Sequence, residues 1–340
     1  MKAAFVVDKN KVEIREIDKP TITPDEVLIR VRTVGVCGSD LHLYNGSHAF
    51  RRPPAILGHE LSGEIAEVGT NVKNFKIGDR VTANPVISCG ECPQCKLGLT
   101  GVCANKRVPG TPAWIGTFTE YFPIPAYLVY KLKDGVDLAQ ATLAEPMAVA
   151  EHILERVITQ PRESLAILGC GSIGLLTLFL AKRRGYKKII CTDTVPASRD
   201  LAMKIGADAA IDPTEDGFYQ KVWDMTGGQG VDVTVVAAGA PNILDQGSQI
   251  TRKGGDVVLV SMITKIIPFD SYSYVFKEQR LIGAMVYTTR DFDAAVDIVN
   301  TGVDLSAFVT HRFPLEQTQE AMETLRQKNE GVVKVIVDVG

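Results

Sequence analysis

The sequence predicts an α/β protein made of a β-rich domain and a domain with a doubly wound parallel sheet. Its 340 residues are enough for two domains, each with its own hydrophobic core. In the first third of the chain, apolar and polar residues alternate with a period of two, which is typical of strands that bury one face. From about residue 150, short apolar strands alternate with helical patterns, and this rhythm indicates a parallel sheet.

Several segments of the first third have the strand pattern. The predicted strands are residues 2–7, 12–17, 26–34, 60–68 and 80–83. Pro20 and Pro24 mark the loop before the third of these strands. We expect residues 45–54, which are polar and lack periodicity, to form a surface loop. Residues 37–42 follow the third strand directly, and we expect them on the loop that leaves it.

A glycine-rich turn opens the second domain. The short apolar strand predicted at residues 165–168 runs into this turn, and a helical pattern then continues through Arg184. Glycines at such a turn let the backbone approach a pyrophosphate at the amino terminus of a helix. The turn predicts dinucleotide binding by Gly169, Gly171, Ser172, Ile173 and Gly174.

An acidic residue follows the next predicted strand. Residues 189–192 are apolar and end at Asp193, nineteen positions after Gly174. A carboxylate there accepts hydrogen bonds from both hydroxyls of the adenosine ribose and repels a 2′-phosphate, so Asp193 favours NAD over NADP. Strands and helices then keep alternating, at residues 209–211, 218–225, 231–236, 242–250, 257–260, 292–300, 315–327 and 332–337.

The charge balance argues against several classes of partner. A net charge of −3, from 37 basic and 40 acidic residues, gives no reason to expect nucleic acid or an anionic membrane surface. No apolar run approaches the roughly 20 residues of a transmembrane helix. The first residues also turn polar too early for a signal peptide. We therefore expect a cytoplasmic protein with reduced thiols, in which clustered cysteines bind metal.

Most of the cysteines form one cluster. Four of the seven, Cys89, Cys92, Cys95 and Cys103, are separated by two, two and seven residues. Four thiolates at such spacings can surround one Zn²⁺ tetrahedrally. An iron–sulfur cluster also uses two-residue spacings, but its usual following proline and partner cluster are lacking here. Disulfides or uncommitted thiols are the remaining alternative. We predict a structural zinc in a lobe at about residues 85–108.

A second candidate metal site follows the third predicted strand. Cys37 and His59 are ligands that Zn²⁺ prefers, and Glu60 comes directly after His59. Two such ligands and a carboxylate leave a position for water or substrate, as catalytic zinc sites do. Ser39 and His42 carry a hydroxyl and an imidazole that could lead a proton away from an alcohol. Taken singly, Cys37 and His59 could be structural core residues.

Together, these motifs resemble the zinc-dependent medium-chain dehydrogenase/reductase family, and within it the sorbitol (polyol) and L-threonine dehydrogenases. The likeness covers Cys-Gly-Ser-Asp-x-His, Gly-His-Glu, the four cysteines, Glu145-Pro146, the glycine-rich turn and residues 309–316. It implies a GroES-like catalytic domain from residues 1–148 and 286–340, and a Rossmann domain from residues 149–285. It also implies a catalytic zinc held by Cys37 and His59. Glu60 and Glu145 both resemble zinc ligands of the family, and the sequence does not rank them.

The chain departs from the polyol dehydrogenases at several positions. The polyol dehydrogenases resemble one another in having an aromatic residue at the position of Leu43. They have an Arg-Tyr pair at the position of Val286-Tyr287. The missing arginine argues against sorbitol itself as the substrate. Near the cofactor, Ser198 replaces a usual basic residue, and Arg199 comes next. Arg199 is therefore a further candidate cofactor contact.

The resemblance also implies a reaction and an assembly. The reaction is reversible oxidation of a secondary alcohol, with zinc as Lewis acid, NAD as hydride acceptor and Ser39, His42 and Glu145 handling the proton. Expected substrates are polyols, sugar acids or related polyhydroxy compounds. The alternatives are L-threonine, or a non-catalytic cofactor-binding protein. We expect two zinc ions per chain and a homotetramer or homodimer.

Overall fold

The chain divides into two compact units, Met1–Ala148 with Thr288–Gly340, and Val149–Tyr287. The structure is a computed structural model, and it describes residues 1–48, 51–111, 113–327 and 331–340. The predicted loop at residues 45–54 therefore lies partly outside the described residues. Within them, no helix is both long enough and apolar enough to cross a membrane. Each unit has its own cluster of buried apolar side chains.

The described residues form sixteen strands, of which β9 to β14 belong to the second unit and the others to the first. The strands are β1 (Lys2–Asp8), β2 (Lys11–Glu16), β3 (Glu26–Val36), β4 (Ala55–Ile56), β5 (Glu60–Val68), β6 (Arg80–Ala83), β7 (Tyr121–Pro125), β8 (Val129–Lys131), β9 (Ser164–Leu168), β10 (Lys188–Thr192), β11 (Ala209–Ile211), β12 (Val231–Val236), β13 (Thr251–Leu259), β14 (Arg280–Gly283), β15 (Val309–Pro314) and β16 (Lys334–Asp338).

Eleven α-helices connect these strands in the described part of the chain. They are α1 (Gly38–Tyr44), α2 (Pro93–Lys96), α3 (Leu138–Ala141), α4 (Ala144–Glu155), α5 (Ser172–Arg183), α6 (Pro196–Ile205), α7 (Phe218–Met225), α8 (Ile243–Ile250), α9 (Ser271–Phe276), α10 (Thr289–Val299) and α11 (Thr318–Gln327). Short 3₁₀ turns lie at Thr100–Val102, Ala126–Leu128, Ser306–Phe308 and Leu315–Gln317.

The first unit contains a seven-stranded sheet and a small three-stranded one. In the large sheet the order is β15-β16-β3-β5-β6-β8, with β7 also paired to β3. The antiparallel registers pair Gly35 with Glu60 and Val36 with Val335. Because β3 lies between β5 and β16, the end of β3 meets the beginnings of both neighbours. Three segments that are far apart in sequence therefore converge at one edge of the sheet.

The second unit contains one six-stranded sheet in which every pair is parallel. Its order is β11-β10-β9-β12-β13-β14, with the first strand of the unit, β9, at the point where the chain reverses direction across the sheet. This is the strand order of a Rossmann fold, and ligands bind such sheets at the carboxyl ends of the strands around that point. The predicted α/β fold class is confirmed.

The predictions erred mainly at the ends of elements. Residues 37–42 are not on a loop, because α1 begins at Gly38, directly after β3. Asp40 stabilises this short helix, since its carboxylate accepts a hydrogen bond from the Cys37 backbone N–H at 3.1 Å. The helix predicted at residues 315–327 begins as a 3₁₀ turn and becomes α-helical only at Thr318. The strand predicted at residues 257–260 belongs to the longer β13 except for Val260, which lies beyond the end of β13 at Leu259.

Candidate metal centres and dinucleotide site

The register of the large sheet brings three potential metal ligands together. Each of Cys37, His59 and Glu60 offers a ligand atom, and these atoms all lie within 4.8 Å of one another. Cys37 follows β3, whereas His59 directly precedes β5, the antiparallel neighbour of β3, and Glu60 is the first residue of β5. A thiolate, an imidazole and a carboxylate at this spacing suit Zn²⁺ with a fourth position open.

Asp40 orients the histidine of this cluster, and sequence reasoning missed it. Its side chain is fully buried, and its Oδ1 lies 3.6 Å from Nδ1 of His59. Metal-binding histidines usually present their second nitrogen to a carboxylate in this way, which leaves Nε2 for the metal. Burial works to lower the pKa of His59, but the negative charges of Asp40 and Cys37 raise it well above its ordinary value. The sequence did contain a signal for this residue, because Asp40 is an acidic residue only three positions after Cys37.

A buried lysine holds the carboxylate of Glu60. Nζ of Lys334, at the start of β16, lies 2.7 Å from both Oε1 and Oε2 of Glu60. The side chains of Glu60 and Lys334 are only 1% and 2% exposed. Gly35 makes room for this pair, because a Cβ there would lie 1.9 Å from Oε2 of Glu60. In the structure, Lys334 therefore neutralises the carboxylate of Glu60 and fixes its position.

Glu145 lies near this pair but outside the cluster of three ligand atoms. It is in the first turn of α4 and is 7% exposed. Burial works to lower the pKa of Lys334, but the charges of Glu60, Cys37 and Glu145 together raise it. Of the two carboxylates that the sequence left unranked, the structure groups Glu60 with Cys37 and His59.

Ser39 and His42 lie three residues apart on α1, so they share one face of the helix. Both side chains are partly exposed. Nδ1 of His42 lies 3.1 Å from Oγ of Ser47, and this hydroxyl donates to Oδ1 of Asn45 at 2.6 Å. Because Ser47 uses its proton on Asn45, Nδ1 of His42 is the donor to Ser47. Nε2 then keeps a lone pair that can accept a proton.

The four clustered cysteines have the geometry of a closed metal site. The Sγ atoms of Cys89 and Cys103 are 3.5 Å apart, those of Cys92 and Cys103 3.9 Å, and those of Cys89 and Cys95 4.0 Å. A zinc tetrahedron with Zn–S bonds near 2.3 Å requires sulfur separations of about 3.8 Å, whereas a disulfide requires about 2.05 Å. Backbone N–H groups of Cys95 and Ala104 lower the pKa of Cys92 to about 6. This cluster therefore fits the predicted structural zinc.

The three glycines of the turn between β9 and α5 have different surroundings. A Cβ on Gly174 would lie 1.9 Å from the carbonyl oxygen of Gly169, so this glycine allows close packing of helix and strand. Gly169 has a φ of +108°, which favours glycine. A Cβ on Gly171 would meet no protein atom within 4 Å. Gly171 thus leaves open space at the amino terminus of α5, where a pyrophosphate binds in Rossmann folds.

Asp193 is hydrogen-bonded to this turn. Its Oδ2 accepts from the backbone N–H of Cys170 at 2.8 Å, and its Oδ1 accepts from that of Val195 at 2.9 Å. Arg199, on α6, donates from Nη1 to the backbone oxygen of Asp193 at 2.7 Å and to Oδ2 of Asp212 at 3.1 Å. The structure thus brings Asp193 and Arg199 together. Sequence reasoning missed Asp212, which follows β11.

Comparisons with known proteins agree with this geometry. Residues 23–134 match the family model described as alcohol dehydrogenase GroES-like domain, and residues 172–301 match the one described as zinc-binding dehydrogenase. A sorbitol dehydrogenase of Bacillus subtilis is 35% identical, over 99% of this chain and 97% of its own. An L-threonine 3-dehydrogenase of Pyrococcus furiosus is 33% identical, over 94% of each chain.

A solved structure extends this likeness to the whole fold. The crystal structure of 2R,3R-butanediol dehydrogenase from Bacillus subtilis has a TM-score of 0.90 and 31% identity, over 99% of both chains. The two family models, the relatives and the matching fold all lead to one assignment, which confirms the predicted resemblance. This chain belongs to the zinc-dependent medium-chain dehydrogenase family.

Proposed function

We propose that this protein catalyses the reversible oxidation of a secondary alcohol, in a polyol, a sugar acid or a related polyhydroxy compound, to the corresponding ketone. The observation that carries this proposal is the cluster of Cys37, His59 and Glu60, whose ligand atoms lie within 4.8 Å of one another. Zinc held there would supply Lewis acidity that lowers the pKa of a substrate hydroxyl, and NAD⁺ would supply the hydride acceptor.

The surrounding residues fix this donor set. Asp40 lies 3.6 Å from Nδ1 of His59, which would leave Nε2 of the ring for a metal, and Lys334 holds the carboxylate of Glu60. Glu145, buried nearby, is the residue we assign as the alternative carboxylate ligand or the holder of a water molecule. Pre-positioned ligands of this kind are what zinc chemistry requires of a protein.

The proton of the alcohol is assigned to Ser39 and His42. The hydroxyl of Ser39 accepts the substrate proton, and Nε2 of His42 takes it onward, because Nδ1 is already engaged with Ser47. His42 is partly exposed, so it can pass the proton to water. In the reductive direction the same groups return it.

The second unit supplies the nucleotide site. The pyrophosphate would be held at the amino terminus of α5 by Gly169, Gly171, Ser172, Ile173 and Gly174. The carboxylate of Asp193 would accept hydrogen bonds from the ribose hydroxyls, which would favour NAD⁺ over NADP⁺. The four-cysteine cluster would hold the second zinc, whose role would be structural because four thiolates leave no position for a substrate.

We also propose that the chain forms a homodimer, or a dimer of dimers, through the β14 edge of the parallel sheet. β14 is an edge strand, and unpaired edges readily take up another strand. Exposed apolar side chains are concentrated on α9 before it, where Tyr272, Val275 and Phe276 are 70%, 74% and 67% exposed. Apolar patches of this kind mark association surfaces.

A substrate panel tests the proposed reaction. The zinc-loaded protein is mixed with NAD⁺ and with polyols, aldonic acids, simple secondary alcohols or L-threonine, and NADH absorbance is followed. We expect reduction of NAD⁺ with polyols or aldonic acids. Turnover of L-threonine alone would replace this substrate class with the activity for which the Pyrococcus relative is named. Silence on every compound, with both zinc ions and NAD⁺ bound, would refute it.

A further inference from the structure

Two acidic residues end neighbouring strands at the nucleotide side of the parallel sheet. β10 and β11 are paired in parallel register, with Thr192 opposite Ile211. Asp193 and Asp212 therefore follow the carboxyl ends of adjacent strands, and the backbone N–H of Asp193 donates to the oxygen of Ile211 at 3.2 Å. Only Asp193 belongs to the nucleotide-binding pattern that the sequence predicts.

Arg199 links these two residues. Its Nη1 donates both to the backbone oxygen of Asp193, at 2.7 Å, and to Oδ2 of Asp212, at 3.1 Å. The Arg199 and Asp212 side chains are 19% and 18% exposed, so water screens their pairing only in part. Asp212 is itself fixed, because its Oδ1 accepts from N and from Oγ1 of Thr214 at 2.9 and 2.6 Å.

The charges at this position bear on which nucleotide binds. NADP⁺ differs from NAD⁺ by a phosphate on the adenosine ribose, and enzymes that bind it offer an arginine to that phosphate. Arg199 contacts Asp193, the residue assigned to this ribose, and so is the cation placed to receive a 2′-phosphate. Its charge is offset by Asp212, however, and its Nη1 is already occupied by two acceptors.

We propose that Asp212 is a specificity-determining residue for the cofactor, which maintains the preference for NAD⁺ by holding Arg199. The proposal rests on the assignment of Asp193 and the glycine-rich turn to NAD⁺. Asp193 repels the 2′-phosphate by its own negative charge. Asp212 holds Arg199, so that the positive charge of Arg199 does not offset this repulsion. Neither residue contacts the other through its side-chain oxygens, so substitutions can separate their contributions.

The test replaces Asp212 by Asn, which keeps the size of the side chain and an oxygen for Thr214. Dissociation constants for NAD⁺ and NADP⁺ are measured by titration calorimetry on the full-length, zinc-loaded protein. We expect the Kd for NADP⁺ to fall by about tenfold, because a carboxylate charge is lost and a guanidinium charge is released. The Kd for NAD⁺ should stay within about twofold, since the groups assigned to its ribose and pyrophosphate are unchanged.

Three further variants make the inference specific. Asp200→Asn removes the same charge from the residue next to Arg199, on the exposed side of α6, and should leave both constants unchanged. In Asp212→Asn combined with Arg199→Ala, the gain in NADP⁺ affinity should disappear. Arg199→Ala alone should not strengthen NADP⁺ binding, because it removes the cation and leaves the negative charge of Asp212 uncompensated. This last variant keeps the inference testable if Asp212→Asn does not fold.

Several results would overturn the inference. An unchanged ratio of the two constants in Asp212→Asn, or an equal gain in Asp200→Asn, would show that Asp212 has no special role. A gain that persists without Arg199 would assign the effect to charge alone, and a gain of NADP⁺ affinity in Arg199→Ala would show that the arginine is not the cation that favours the phosphate. If the unmodified protein binds neither nucleotide, the proposed function itself fails, which is a different outcome from these.

Discussion

Replacement of Lys334 by Met tests the role of the buried ion pair at the candidate catalytic site. The substitution keeps most of the length and the apolar stem of the side chain and removes its charge. It leaves the carboxylate of Glu60, which is 1% exposed, without its partner at 2.7 Å and close to the Cys37 thiol. Removal of one member of a buried ion pair typically costs about 3–5 kcal/mol, because the other charge stays buried and unpaired.

The expected change in melting temperature follows from the size of the unit. Residues 1–148 and 288–340 make up the unit that contains both side chains. For a unit of roughly 200 residues, each kcal/mol lowers Tm by about 2–4 °C, so the metal-free variant should melt about 6–20 °C below the unmodified protein. Zinc should restore part of this difference, since a bound cation would compensate the charge of Glu60.

The assay is thermal unfolding followed by circular dichroism, with chelator and with zinc. Lys2→Met is the matched control, because it breaks an ion pair of the same unit, with Glu316, whose side chains are 46% and 53% exposed. Water screens such exposed pairs, so this control should change Tm little. The reasoning would be refuted if Lys334→Met and Lys2→Met melted alike without metal, or if zinc stabilised Lys334→Met less than the unmodified protein.

The remaining predictions concern other parts of the chain. Cys103→Ser should reduce the zinc content measured by elemental analysis by one ion per chain and lower Tm, because the closed tetrahedron loses a ligand. Gly171→Ala should fold normally, since the added Cβ would meet no protein atom within 4 Å. It should bind NAD⁺ at least about tenfold more weakly, because this Cβ would occupy the space assigned to the pyrophosphate. Gly174→Ala should instead lower Tm, because its Cβ would lie 1.9 Å from a carbonyl oxygen. Burial and nearby cations lower the pKa of His48 from 6.5 to about 4. As the pH falls, His48 therefore binds a proton in the unfolded chain before it does so in the folded protein, which lowers stability. The urea midpoint should fall between pH 6.5 and pH 4 by more than it does in His48→Gln. Equal pH profiles of the two proteins would contradict this.

The features that the sequence predicted well are those whose residues are close together in the chain. The four cysteines lie within fifteen residues, and the glycine-rich turn and Asp193 lie within one strand–helix–strand unit. Their spacing alone restricts the chemistry they can perform. The strands β5, β6 and β11 were predicted with their observed bounds, because apolar and polar residues change clearly at their ends.

The missed features depend on strand register or on single side chains. Lys334 is 274 residues from Glu60, and only the pairing of β16 and β5 with β3 brings the two together. Its apolar surroundings in sequence suggested an ordinary strand. Asp212 was missed for the same reason, since its contact with Arg199 requires β10 and β11 to be neighbouring strands. α1 was taken for a loop because its seven residues are too short for a helical period to be recognised.

We assign Cys37 to a catalytic zinc site that is separate from the four-cysteine site. The most direct measurement is zinc content per chain together with NADH formation on the best polyhydroxy substrate, for the unmodified protein and for Cys37→Ser. We expect two zinc ions and turnover in the unmodified protein, and one zinc ion without turnover in the variant, which should still bind NAD⁺. Equal zinc content and equal turnover in both proteins would contradict it.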